Sequence, residues 1–232
     1  FSDIEQIAAD LSIFPALNPT DIASLIYTSG TTAIPKGVLL SHKNLCANFK
    51  SIEQLNVCYS CDNILAILPL HHTYAFMVTL MLPLGLGAKV TYASGFKPQE
   101  LAGIIKEAKV TMLVGVPQLF SLLYKAIFEK IKKIPFVLRP FIMPWIKKKT
   151  RAYFGPLRIL VSGGARLEPK VASGLSKILG IKLIEGYGLT ETSPVACLNP
   201  PKKIKFGSVG KSVPNVEIKI SHPGPAGIGE VL

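Results

Sequence analysis

Residues 27–37 read YTSGTTAIPKG, flanked by two apolar runs of strand length, Ile22, Ala23, Leu25 and Ile26 before it and Val38, Leu39 and Leu40 after it. Between the runs, Thr28, Ser29, Thr31 and Thr32 gather around Gly30, and Lys36 adds one cation. Small residues let backbone N–H groups approach a ligand, hydroxyls add donors, and a lysine supplies a point charge. That is the inventory of a loop for phosphate oxygens. A Walker loop needs glycine directly before its lysine; here Pro35 precedes Lys36 and Gly37 follows it. Taken alone, a hydroxyl-rich stretch between strands also reads as a plain polar turn.

Outward from this stretch, strand-length apolar runs alternate with helical ones almost throughout. Strands are expected at 22–27, 38–40, 64–68, 89–92, 111–114, 157–161, 182–184 and 216–220. Helices are expected at 42–55 with Ser41 as cap, 74–82, 98–109, 117–131 and 169–179, three of them opening on Pro98, Pro117 and Pro169. Near-continuous apolar strands separated by helices predict an α/β fold, a mainly parallel sheet with helices on both faces. Ligands of such sheets bind at the carboxyl ends of the strands. Residues 63–88 carry no Lys, Arg, Asp or Glu. Their prolines, glycines and two histidines split them into a buried strand and a helix rather than one membrane span.

Four further strings fall at strand ends. Residues 68–74, LPLHHTY, hold His71 and His72; a histidine satisfied in the core by a carbonyl is the plain alternative to a ligand-facing one. Val114, Gly115 and Val116 run into Pro117 at a strand-to-helix turn. Residues 160–168, LVSGGARLE, do not make a nucleophile elbow, because Leu160 stands where G-x-S-x-G needs its first glycine. Residues 185–191, EGYGLTE, set an aromatic ring between two glycines, where it can lie flat on a purine, and end on a carboxylate of the kind magnesium takes.

Together these strings resemble the adenylate-forming (AMP-binding) superfamily of acyl-CoA synthetases, luciferases and nonribosomal-peptide adenylation domains, long-chain fatty acid–CoA ligases in particular. Residues 27–44 match its YTSGTTGxPKGV…SHxN signature with one departure, Ala33 for glycine, and 185–191 match its GYGxTE motif. An alanine where φ must be positive strains a loop by about 1 kcal/mol. The 207–214 string, G-x-x-G-x-x-x-P, resembles a later family stretch with Ser212 in place of a proline.

The resemblance implies the roles. Thr28, Ser29, Gly30, Thr31, Thr32 and Lys36 would hold the β- and γ-phosphates of ATP. Gly163, Gly164 and Ala165 would lie at the adenine edge, with Tyr187 on the adenine and Glu185, Gly186 and Gly188 completing the nucleotide set. Thr190 would meet the α-phosphate and Glu191 hold Mg²⁺. His72, Val114, Gly115, Val116 and Gly186 would line the carboxylic-acid pocket; Lys36, His72, Thr190 and Glu191 are the catalytic candidates. The implied reaction joins a carboxylate to AMP with loss of pyrophosphate, then passes the acyl group to coenzyme A. Family members are longer, with a small C-terminal lid domain, a ribose-binding aspartate and a C-terminal lysine that this chain would lack. The chain is therefore expected to be the central part of an AMP-binding N-terminal domain, inactive by itself. The alternative is a non-catalytic lipid- or membrane-binding module derived from such a domain.

The net charge of +12 is concentrated. Between 125 and 151 nine cations stand against one anion, Glu129, among aromatic and aliphatic residues. Such a field attracts phosphates, nucleic acid or an anionic membrane. No nucleic-acid partner is expected, and the basic aromatic insertion at 125–153 reads either as a peripheral contact with an anionic membrane or as a solvated insertion folded on its own domain. Pro135, Pro140 and Pro144 predict a broken segment there rather than one helix. Four irregularly spaced cysteines make no disulfide framework, which predicts a cytoplasmic protein, at most peripheral on the inner face of a membrane. Cys58 and Cys61 form a lone C-x-x-C without further ligands at zinc-site spacing.

Overall fold

The computed structural model describes residues 16–28, 34–93 and 98–232, except the side chains of Pro98, Gln99 and Phe136. Ser29, Gly30, Thr31, Thr32 and Ala33 lie outside the described residues.

The chain opens with a hairpin of β1 (Ile22–Thr28) and β2 (Lys36–Ser41), paired antiparallel so that Thr28 faces Lys36 across its mouth. Helix α1 (His42–Glu53) follows directly. Its start explains the SHKN string physically. The Ser41 hydroxyl accepts the Asn44 N–H at 3.2 Å, and the Asn44 side-chain oxygen accepts the Ser41 N–H at 3.0 Å, a reciprocal cap for two otherwise orphaned donors.

The body is a seven-stranded sheet in the order β4-β3-β5-β6-β7-β8-β9. Strands β3 (Asn63–Ala66), β4 (Lys89–Tyr92), β5 (Met112–Gly115), β6 (Ile159–Ser162) and β7 (Lys182–Gly188) are parallel; β8 (Val195–Leu198) and β9 (Lys211–Ser212) continue antiparallel. The strand period of two deals side chains alternately to the two faces. Leu65, Leu113, Leu160 and Leu183 point into one core with α4 (Pro98–Glu107), α5 (Pro117–Lys132), α6 (Arg139–Phe154) and α7 (Pro169–Leu179). Ile64, Met112, Val114, Ile159, Val161 and Ile184 point into the other, with α1 and the helical stretch 73–86.

That stretch is irregular: α2 (Thr73–Ala75) widens into a π-helical turn (Phe76–Met81) before α3 (Leu82–Leu86). Single π turns inside helices recur at functional sites. One expectation fails. The 216–220 strand does not form: Val216 instead closes a turn onto Val213 O at 3.2 Å, and only β10 (Ile220–Ser221) pairs, with β11 (Glu230–Val231), extended by the backbone bonds between Lys219 and Leu232. The 125–153 segment is broken as expected, though only around Pro135, and residues 139–154 run as one helix through Pro144. Pro135 ends α5, and a 3-10 turn (Phe136–Leu138) precedes α6, whose Pro140 lies at its first positions where no N–H is needed. Pro144 then removes a single intrahelical bond near the helix start rather than breaking the helix.

Candidate active site

A cavity of about 690 Å³ opens at the carboxyl ends of β5, β6 and β7, on the sheet face that packs against α1 and the π turn. Five separate strings of the sequence reach it. Thr28 comes from the end of β1, His72 from the N-terminus of α2, Val114 and Val116 from the end of β5, and Gly163 and Gly164 from the turn after β6. Gly186, Tyr187, Gly188, Thr190 and Glu191 come from β7 and the 3-10 turn (Thr190–Thr192) after it. These residues are up to 163 positions apart in the chain, Thr28 to Glu191, and share one space because parallel strands all present the same end.

The glycines are sterically required. A Cβ on Gly188 would fall 1.6 Å from the Pro194 carbonyl oxygen, and one on Gly163 would fall 2.7 Å from the Tyr74 ring. Gly164 takes φ +79°, the left-handed region. The backbone at the cavity mouth is thereby kept close and unshielded, as flat ligand rings and phosphates need.

The remaining expected residues among those described stand around this space without lining it. Lys36 is exposed, opposite Thr28 at the hairpin mouth, on a strand that packs beside the Thr190–Thr192 turn. Gly115 is buried and accepts the Gly163 N–H at 3.2 Å. Ala165 is exposed beyond Gly164. Glu185 is buried beneath the mouth; its carboxylate is raised above the usual range by burial, partly offset by N–H groups of Gly207 and Leu167 and by the Arg166 charge. One of its oxygens has no hydrogen-bond partner among the described residues. The His71 and His72 rings lie with centroids 4.3 Å apart and their planes tilted by 48°, and of the two His72 lines the cavity.

Four features lay beyond sequence reasoning. The floor is apolar, built by Ile52, Val57, Val78, Leu82, Met112, Val161, Ile184, Val195 and Leu198, residues that read in sequence as ordinary core. Tyr74 lies between this floor and Gly163, its hydroxyl 3.4 Å from the Val161 carbonyl and 3.5 Å from that of Gly115, and burial drives its pKa up. Thr73 presents a buried hydroxyl in the cavity wall with no hydrogen-bond partner among the described residues. Adjacent to the catalytic candidates, Asn48 of α1 bonds the backbone below the Thr190–Thr192 turn: its amide donates to Val195 O at 2.8 Å and Thr192 O at 3.3 Å, and its oxygen accepts the Val195 N–H at 3.2 Å.

Glu191 is exposed on the cavity rim, and among the described residues no cation pairs with it. No group of three metal-ligating side chains occurs among the described residues. One free carboxylate fits magnesium, which keeps waters and takes other oxygens from substrate phosphates, and does not fit a metal held by the protein alone.

An α/β sheet with a crevice over its carboxyl edge, polar and glycine-lined at the mouth and apolar at the floor, is the usual place for a small-molecule site in such folds. The family is explicit. The model of the AMP-binding enzyme family matches residues 3–231, and the chain belongs to that family. It is 32% identical over 216 residues to the long-chain-fatty-acid–CoA ligase of Haemophilus influenzae, covering 89% of this chain and 34% of that protein. It is 33% identical over 235 residues to a 4-coumarate–CoA ligase of Humulus lupulus, covering 96% and 39%. Among solved structures, ATP-bound MatB from Rhodopseudomonas palustris superposes with a TM-score of 0.74 at 27% identity, over 93% of this chain and 38% of that one. A malonyl-CoA ligase with methylmalonyl-CoA and AMP bound gives 0.74 at 25% identity, over 92% and 43%. The chain thus spans little more than a third of the length of the curated relatives it matches.

Proposed function

We propose that the protein to which this chain belongs activates a long-chain fatty acid, forming the acyl-adenylate from ATP and then the coenzyme A thioester. The observation that carries this reading is the single cavity with two chemistries. Its mouth gathers Thr28, His72, Gly163, Gly164, Tyr187, Thr190 and Glu191, the polar and glycine-rich set; its floor is aliphatic and continuous with the core. An acid with a charged head and an apolar tail fits that division, whereas a malonate-like diacid would leave a second carboxylate on aliphatic walls. The fatty-acid–CoA ligase relatives support the same choice, and the 4-coumarate–CoA ligases mark an aromatic acid as the competing substrate.

In this reading the Gly186–Gly188 backbone seats the purine against Tyr187 while Thr190 donates to the α-phosphate. Lys36 and the hydroxyls following Thr28 bring donors and one positive charge to the β- and γ-phosphates. Glu191 would hold magnesium, which supplies neutralisation of phosphate charge when bound. His72 and the Thr73 hydroxyl face the acid's carboxylate. The carboxylate oxygen attacks the α-phosphorus, the bond from that phosphorus to the bridging oxygen breaks, and pyrophosphate leaves. The residues orient and neutralise rather than form bonds themselves, which suits phosphoryl-type chemistry.

ATP–pyrophosphate exchange by the full-length protein with fatty acids of rising chain length, against 4-coumarate and malonate, tests the proposal. Exchange that rises with chain length is expected. Exchange with 4-coumarate alone would move the assignment to aromatic acids, and none with any acid would favour a non-catalytic lipid-binding module. A cytoplasmic protein, working peripherally at the inner face of a membrane, suits the same substrate.

A further inference from the structure

The cavity uses no residue between Pro117 and Leu160, yet this stretch carries the strongest charge asymmetry of the chain and, among the described residues, the most exposed aromatic surface. Helix α6 has two unlike faces. Ile142, Met143, Ile146, Thr150 and Phe154 turn inward, half-buried or buried, where α6 packs on α4 and α7. On the outward side Phe141 and Trp145 stand one turn apart, 80% and 60% exposed, and Val137, in the 3-10 turn that leads into α6, is 75% exposed. The same row continues into Lys149, which stands over the Trp145 ring 4.9 Å from its centroid, with Lys147 and Lys148 exposed beside it. Lys132 and Lys133 flank the start of the row, and Glu129, the sole acid in the segment, is paired with Lys132 at 3.4 Å.

We infer that the row from Val137 to Lys149 is a docking face for an anionic lipid surface. Charge complementarity selects the partner: exposed lysines with one already neutralised acid attract phosphate headgroups. The aromatic row selects against a purely ionic one, since Phe141 and Trp145 would stay in water on a nucleic acid but reach the acyl boundary on a bilayer, with the lysine stems lying alongside and their ammonium groups at headgroup level. No helix among the described residues is long and apolar enough to cross a membrane, and α6 offers the geometry of a helix lying along the interface, held to the body by its inner side.

Only the purpose of such docking, access to a lipid-partitioned acid, rests on the function proposed above. The binding is therefore measured without ATP, acid or coenzyme A, so loss of either reading leaves the other standing. Trp145 is the single tryptophan of the chain, so its emission reports this face alone. With vesicles of equal parts phosphatidylcholine and phosphatidylglycerol, a blue shift and quenching by ring-depth brominated lipid are expected; with phosphatidylcholine alone, neither. Lys147→Glu/Lys148→Glu/Lys149→Glu is expected to weaken vesicle co-sedimentation by more than about tenfold. Phe141→Ser is expected to weaken it while leaving its salt dependence unchanged. An unshifted Trp145 emission on anionic vesicles overturns the inference, and because that measurement uses the unsubstituted chain it stands even if a variant misfolds. Binding of the triple variant equal to that of the parent overturns it too. So does capture by duplex DNA at equal strength with unshifted emission, which would make the face a general polyanion site.

Discussion

Thr73 is the residue on which the proposed site can be examined most cleanly. A buried hydroxyl without a partner costs about 1–3 kcal/mol, and such groups persist where something else uses them. Thr73 keeps its hydroxyl in the cavity wall next to His72, where valine would have packed as well. Thr73→Val is therefore expected to raise stability by about 1 kcal/mol in denaturant unfolding. In the full-length protein the same variant is expected to raise the KM for the acid severalfold. Higher stability without a change in KM would make Thr73 an unexplained relic rather than a ligand to the carboxylate. Glu191 offers the complementary case, since it is exposed and its substitution should leave folding untouched. Glu191→Gln removes the negative charge that magnesium requires and is expected to lower exchange by about a hundredfold. An unfolding midpoint unchanged from the parent would show that the loss belongs to the site.

Among the elements, the contact of α1 with the Thr190–Thr192 turn joins the two distant halves of the site. The helix starts where the β1–β2 hairpin ends, and Asn48, nearly two turns further on, fixes the backbone on which Thr190 and Glu191 sit. Asn48→Ala strips partners from a buried N–H and a buried carbonyl of Val195, an expected loss of about 1–3 kcal/mol. If the contact also sets the position of the turn, exchange in the full-length protein falls by about ten- to a hundredfold in kcat with little change in KM for the acid. Asn48→Asp keeps the acceptor for Val195 N–H and should recover part of kcat. A stability loss with kcat intact would confine Asn48 to the scaffold. How far these elements could be read in advance depends on what buries them. Strands β3, β5 and β6 are covered on both faces, so their unbroken apolar runs were legible, and the loops after β6 and β7 announced themselves through glycines. Strand β8 was not foreseen: Val195–Leu198 is four residues long and follows Pro194, and its apolar character could serve a loop equally. The apolar floor of the cavity was illegible for a related reason, because Val78 or Leu82 in a wall looks in sequence like the same residue in a packed core. In α6 the proline rule overreached: Pro140 lies in the first turn, where no N–H is needed, and the single bond lost at Pro144 leaves the helix continuous.

Across the whole molecule the two ends of the parallel sheet divide the work, with the candidate site at the carboxyl ends and a polar staple at the amino ends. Asp62, just before β3, accepts from Arg158 Nε at 2.8 Å, from the Thr111 hydroxyl at 2.7 Å and from the Tyr59 N–H at 2.9 Å. Arg158 also donates to Val57 O at 2.8 Å and lies 5.0 Å from the Tyr59 ring centre. Three strand starts, those of β3, β5 and β6, are thus tied to one buried carboxylate. Burial pushes the Asp62 carboxyl up, but the hydrogen bonds from Arg158, Thr111 and the Tyr59 N–H outweigh it and hold the group below the usual carboxylate range. A depressed folded pKa means that the unfolded chain binds the proton more tightly, so this contribution is full above the unfolded value and is lost as pH falls through the folded one. Glu185 at the other end of the sheet runs the opposite way. Its raised folded pKa gives stability that is full below the unfolded value and declines as pH rises through the folded one. Asp62→Asn is expected to flatten the acid limb of a stability–pH profile, and Glu185→Gln to raise stability at neutral pH while leaving that limb in place. Arg158→Ala leaves the Asp62 charge without its partner and is expected to cost on the order of 3 kcal/mol, held to that level because a third of the Arg158 side chain is in solvent. In the Asp62→Asn background the same change should cost much less, and a double-mutant cycle in urea reads the difference directly. Equal costs in both backgrounds would mean that Arg158 stabilises the sheet through Val57 and Tyr59 and that the carboxylate is incidental.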